Sequence, residues 1–146
     1  MTLQDMDYVP LAEMAEELDN RDIMNGMDLL IDRCYGDFLK AGWHDKPMNV
    51  GEKIALIHSE ISEALEGDRK NLMDDKLPQY KQIAVECADA IIRICDMIGA
   101  LRDNCDNVDQ VNELDMSEAI IKKLEFNRNR ADHKQEAREQ AGGKRY

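Results

Sequence analysis

The longest apolar-rich segment of the chain, residues 83–101, contains no proline and has the composition of a helix. On a helix its apolar side chains occupy nearly the whole circumference, so other elements must cover it on most sides. The segment nevertheless holds too many charged residues for a membrane span. Those residues are Glu86, Asp89, Arg93 and Asp96.

Prolines divide the rest of the chain, because each stands where a helix would begin or end. Between them we predict helices at 11–40 (in one or two pieces), 51–69 and 80–101, joined by loops at 41–50 and 70–79. Residues 102–114 are ambiguous. Asp115 and Glu118 form a capping box that begins a last helix, which ends near Arg130. Residues 131–146 are predicted to be a mobile tail. The three prolines are Pro10, Pro47 and Pro78.

The composition favours helix packing. The chain has 146 residues, which is the size of one domain, and only 5% of them are aromatic. A core of Leu, Ile, Ala and nine Met suits helices better than a sandwich or barrel. No strand-like alternation or internal repeat is present. We therefore predict a single all-α domain over residues 1–146, built as a bundle of four to five helices.

The net charge and the cysteine spacing exclude several classes of function. A net charge of −12 argues against binding to nucleic acid or anionic membrane, unless cations bridge the protein to a polyanion. The four cysteines form no CxxC pair or zinc-finger spacing, and Cys87 and Cys95 are predicted to be reduced and buried. Because no signal peptide is visible either, we expect a soluble cytoplasmic protein.

Four acidic residues stand out by their neighbours. Glu60 and Asp89 lie at the edges of apolar helical stripes, and each has a second carboxylate one turn away, Glu63 and Glu86 respectively. Like charges beside a core are costly unless a cation joins them, and Mg²⁺ prefers oxygen ligands. Two such helices facing one another could hold ions between them. Chance pairing remains open, because the chain has 31 Asp and Glu.

Three other sites fit less well. Ferritin-like di-iron proteins need Glu-x-x-His, which follows neither acidic pair. The Asp-rich stretch 103–109 lacks the central Gly and terminal Glu of an EF-hand. Gly142-Gly143-Lys144 neither follows a strand nor opens a helix, so it is not a P-loop.

The two acidic pairs with their flanks, LIHSEISEALEGDRK (56–70) and ECADAIIRICDM (86–97), resemble the metal-bearing helices of the MazG-like all-α NTP pyrophosphatases. The resemblance extends over residues 42–130. It includes Gly42-Trp43 and a Lys123-x-x-x-Asn127-x-x-Arg130 pattern similar to that of short, stand-alone bacterial and phage-type members. The intervening KQEAREQA before GGKRY departs from the usual ending, which leaves Lys144 and Arg145 without an assigned role.

The resemblance implies a hydrolase acting on acid anhydrides, which converts a nucleoside triphosphate to the monophosphate and pyrophosphate in nucleotide-pool control or cleansing. It implies Mg²⁺, with Mn²⁺ as a substitute, held by the four carboxylates; one of these would also accept a proton from the attacking water. Charge-assisted hydrogen bonds from Lys123 and Arg130 would hold phosphates, and Asn127 would contact phosphate or sugar. Trp43 is a candidate stacking platform for the base, and a packing anchor is the alternative.

Two further alternatives remain. The same fold could act on phosphoribosyl-ATP or dUTP, or the chain could be a non-catalytic acidic interaction module. We also expect a homodimer or homotetramer, because the helix at 83–101 needs cover that a partner's N-terminal helical stretch could supply.

Overall fold

The computed structural model describes residues 20–130, and these residues form helices and no strand. The all-helical prediction is confirmed for this part of the chain. The prediction of a mobile tail at 131–146 lies outside the described residues, as does the predicted helix before residue 20. The helices are α1 (Asn20–Lys40), α2 (Val50–Arg69), α3 (Gln82–Asp103), α4 (Val108–Glu113) and α5 (Met116–Asn129).

The helix boundaries follow from local capping. Asn49 caps α2, because its side-chain oxygen accepts a hydrogen bond from the backbone N–H of Glu52 at 3.2 Å. Asn107 caps α4 in the same way, through the N–H of Gln110 at 3.0 Å. The stretch that was ambiguous in sequence therefore contains a short helix. Among the described helices, none combines the length and apolar content that crossing a membrane requires.

The described residues divide into two compact units. One is Asp28–Asp115, and the other comprises 20–27 and 116–130. In the first unit the core consists mainly of small side chains, which let the helices approach closely. The buried apolar residues of this unit are Ile31, Cys34, Ala64, Ala90, Cys95 and Ala100.

A buried carboxylate joins the loop after α1 and the start of α2 to α3. Asp96 is 1% exposed, and it accepts hydrogen bonds from His44 Nε2 at 2.6 Å and Lys53 Nζ at 2.5 Å. A buried charge with two partners is satisfied, so this network fixes α2 against α3.

The four cysteines are free thiols. Cys95 is fully buried as predicted, and burial raises its pKa to about 11. Cys87 is exposed, so the prediction of a buried thiol there is wrong. The reason is helical geometry: Glu86 points inward, and the next side chain is rotated about 100° away from it.

Candidate functional site

Three of the four predicted carboxylates meet in one cluster, formed by Glu60, Glu63 and Glu86. One oxygen from each lies within 4.8 Å of the others. Glu60 and Glu63 are one turn apart on α2, and Glu86 comes from the facing helix α3. Glu60 and Glu86 are each 8% exposed, whereas Glu63 is open to solvent. The packing of α2 against α3 brings these three carboxylates together.

The fourth carboxylate, Asp89, is exposed and lies outside this three-oxygen group, but it lines the same cavity. The cavity has a volume of about 800 Å³. Six of its lining residues are acidic and two, Lys76 and Arg93, are basic. The acidic ones are Glu60, Glu63, Asp74, Asp75, Glu86 and Asp89.

Each carboxylate of the cluster accepts a hydrogen bond from a side chain outside the cluster. Arg93 Nε donates to Glu60 Oε1 at 2.6 Å, and Gln82 Nε2 donates to Glu86 Oε1 at 3.3 Å. Ser59 Oγ donates to Glu63 Oε1 at 3.3 Å. Because a carboxylate has about four lone-pair sites, these hydrogen bonds leave lone pairs that a cation could use.

The cluster also affects the proton affinity of Glu86. Its pKa is raised, first because burial disfavours the charged form and then because Glu63 and Glu60 are close. The hydrogen bond from Gln82 opposes this rise only partly. A raised carboxylate pKa beside other carboxylates in a cavity is typical of a functional site.

The loop between α2 and α3 forms one wall of the cavity. Its ends are joined by an antiparallel bridge between Met73 and Lys81. Asp74 is buried, and its Oδ1 accepts from the backbone N–H groups of Lys76 at 3.0 Å and Leu77 at 2.6 Å. This turn holds the tip of the loop, including Asp75 and Lys76, at the cavity.

Trp43 lies away from the carboxylate cavity. It is 65% exposed, packs against Phe38 with ring centroids 5.8 Å apart, and lines a separate pocket of about 380 Å³. That pocket has no lining residue in common with the carboxylate cavity. His44 is held by Asp96 and does not line the cavity either.

Lys123, Asn127 and Arg130 belong to the second compact unit. Lys123 Nζ lies 4.7 Å from the centroid of the Phe126 ring, and the Arg130 guanidinium carbon lies 5.8 Å from it. Both cations therefore lie near the same aromatic ring. Asn127 Oδ1 is buried and accepts no hydrogen bond from the described residues.

Five polar or charged cavity residues were not predicted as part of the site: Asp74, Asp75, Lys76, Gln82 and Arg93. For two of them, Arg93 and Gln82, the sequence spacing could have indicated a place in the site. Arg93 is four residues after Asp89 and Gln82 four before Glu86, which places each on the same helix face as an acidic residue. For the loop residues it could not, because the fold of the loop depends on the bridge between Met73 and Lys81.

Comparison of the chain with protein-family models, curated proteins and solved structures found no match.

Proposed function

We propose that this chain is a magnesium-dependent nucleoside triphosphate pyrophosphohydrolase, which converts a (d)NTP and water to the monophosphate and pyrophosphate. The observation that carries the proposal is the cluster of Glu60, Glu63 and Glu86 in a polar cavity of about 800 Å³. The resemblance of the acidic motifs to the MazG-like family supports the same activity.

The donor set fits a hard divalent cation. Its atoms are carboxylate oxygens, which suit Mg²⁺ and Mn²⁺. Two of the carboxylates are nearly buried, where a cation relieves the cost of their charge. The cavity also has room for the waters and phosphates that complete the coordination of Mg²⁺. Glu60, Glu63 and Glu86 would hold the ion, and Asp89 would complete the set.

The bound ion would neutralise the triphosphate and lower the pKa of a water molecule. The residues of the chain would orient the substrate and move the proton. Asp89 is the carboxylate best suited to accept that proton, because it is exposed to the cavity and has no hydrogen-bond partner among the described residues. Lys76, at the tip of the loop, would contact a phosphate.

The roles of the other predicted residues rest on the resemblance. Lys123, Asn127 and Arg130 are proposed to contact phosphate and sugar. Trp43 is proposed as a platform for the base, although the packing of Trp43 on Phe38 favours the alternative, a packing anchor.

We also propose that the protein is a homodimer or homotetramer. Ile83, Cys87 and Ile91 follow one another at one-turn spacing on α3 and are exposed, which is the uncovered stripe that a partner would bury.

Removal of single carboxylates tests the proposed activity. Glu63→Ala and Asp89→Ala should each lower Mg²⁺-dependent pyrophosphate release by at least about 100-fold, because each removes a charge that holds the ion or moves the proton. Both residues are exposed, so the helix content measured by circular dichroism should be unchanged.

Glu66→Ala is the matched control. Glu66 is on the same helix, pairs with Lys70 and does not line the cavity, so this variant should keep nearly full activity. Folded Glu63→Ala protein with wild-type activity would overturn the proposed role of the cluster. A melting temperature unaffected by Mg²⁺ with nucleotide would instead favour the non-catalytic interaction module.

A further inference from the structure

Arg93 connects the two carboxylate-bearing helices. It lies on α3, one turn after Asp89, and its guanidinium reaches Glu60 on α2, with Nε 2.6 Å from Glu60 Oε1. Glu60 is one of the three clustered carboxylates. The positively charged guanidinium of Arg93 therefore donates a hydrogen bond to an oxygen of the candidate metal site.

The charges of the cluster explain this contact. Three carboxylates with oxygens within 4.8 Å repel one another, and two of them are nearly buried. Arg93 offsets one of these negative charges. Because an arginine cannot lose its proton in a protein, Arg93 stays positively charged and competes with any other cation that binds Glu60. A divalent ion that binds the same carboxylates is such a cation.

The Arg93 side chain also has room to move within the cavity. Its side chain is 29% exposed and lines the same cavity as the cluster, so it is not locked in the core. A guanidinium binds phosphate oxygens through two parallel hydrogen bonds, which an ammonium group cannot form. The position of Arg93 within the cavity suits a phosphate next to the ion.

We propose that Arg93 is the internal counter-ion of the carboxylate cluster: a divalent cation displaces it from Glu60, and its freed guanidinium then binds a phosphate of the substrate in the same cavity. The first step, displacement of Arg93 by the cation, depends only on the carboxylate cluster. The second step rests on the proposed function.

The displacement can be observed in the wild-type protein by NMR of the arginine Nε–H groups. The Arg93 signal, assigned by its loss in Arg93→Lys, should move to the position of an unpaired arginine when Mg²⁺ is added without nucleotide. This measurement does not require a charge-removing variant to fold. An Arg93 signal that stays unmoved when Mg²⁺ is bound overturns the proposal.

Metal affinity gives an independent readout. Arg93→Gln should bind Mn²⁺, measured by electron paramagnetic resonance, about ten-fold more tightly than wild type, because it removes a competing positive charge. Arg93→Lys keeps the charge and should bind Mn²⁺ as wild type does. Arg33→Gln is the matched control: it removes an exposed arginine paired with Asp37, away from the cavity, and should change nothing. Equal or weaker Mn²⁺ binding by Arg93→Gln would mean that Arg93 only orients Glu60.

The phosphate step is measured with inorganic pyrophosphate in saturating Mg²⁺ by calorimetry. Arg93→Gln should bind it about ten-fold more weakly, and Arg93→Lys should lie between that variant and wild type. Unchanged pyrophosphate binding in Arg93→Gln overturns this second step.

The outcomes separate the two proposals. Protein that shows the Mg²⁺-dependent movement of Arg93 but releases no pyrophosphate from any triphosphate contradicts the proposed function and leaves the displacement standing. Active protein in which Arg93 stays at Glu60 contradicts the displacement alone. Protein that binds neither metal nor triphosphate contradicts both.

Discussion

At the scale of single residues, Glu86 shows how the cluster opposes folding. Burial and the nearby carboxylates raise its pKa, so the folded protein holds this proton more tightly than the unfolded chain does. Such a group stabilises the fold at acidic pH, and that stabilisation is lost as pH rises through the folded pKa. At neutral pH the charged Glu86 is therefore a cost of the site, as is common where function constrains a sequence.

We expect Glu86→Gln to raise the melting temperature by a few degrees at pH 7 to 8 in EDTA, because the amide removes the unfavourable charge and keeps the shape. The gain should disappear near pH 4, where wild-type Glu86 is already protonated. Glu66→Gln is a control that should lower the melting temperature at neutral pH. The hydrogen bond from Lys70 lowers the pKa of Glu66, so the charged form of Glu66 is the favourable one in the folded protein. Thermal melts across this pH range check both variants. A lower melting temperature for Glu86→Gln at pH 7 would contradict this account.

Helical spacing in the sequence predicts contacts between side chains on one helix, but it does not predict contacts between side chains on different helices. The pairs Glu60/Glu63 and Glu86/Asp89 could be predicted, because helical spacing alone makes them neighbours. The contact between Arg93 and Glu60 could not, because it joins residues 33 positions apart on different helices. Which side chains meet across a helix interface depends on packing, and a helical repeat does not determine it.

At the scale of elements, the close approach of α2 and α3 depends on Gly67. A Cβ at this position would lie 2.8 Å from Gln82 Cβ, closer than such atoms can pack. Gln82 begins α3 and donates to Glu86, so the glycine contact and the carboxylate cluster are connected.

We therefore expect Gly67→Ala to reduce stability by about 1–3 kcal/mol through overpacking, and to lower activity by moving Gln82. Denaturant unfolding and pyrophosphate release measure the two effects. Gly36→Ala on α1 is the matched control, because a Cβ added there would meet no neighbouring element within 4 Å and alanine favours helix. It should be neutral or stabilising. If both substitutions behaved alike, close packing at Gly67 would not be the cause.

The helices themselves were largely predictable, and their exceptions have local causes. The sequence predicted a helix at 51–69, and α2 is Val50–Arg69. We predict the start of α3 at residue 80, but the helix begins at Gln82, because Lys81, which forms the bridge with Met73, has an extended backbone. The six-residue α4 was missed, since so short a helix has little periodicity and depends on its Asn107 cap.

At the scale of the whole molecule, the exposed apolar stripe of α3 favours association. We expect sedimentation of the full chain to give a mass of at least two chains, because burying Ile83, Cys87 and Ile91 removes apolar surface from water. A single species at 16.7 kDa across a dilution series would contradict the proposed oligomer.

The activity that we propose for the carboxylate cavity is pyrophosphohydrolysis. The most direct measurement is ³¹P NMR of the products that the purified protein forms from a panel of (d)NTPs with Mg²⁺. We expect one pyrophosphate for each monophosphate from at least one substrate, with no reaction in EDTA and none from Glu63→Ala. Orthophosphate with nucleoside diphosphate as the products, or no reaction from folded, metal-bound protein across the panel, would contradict it.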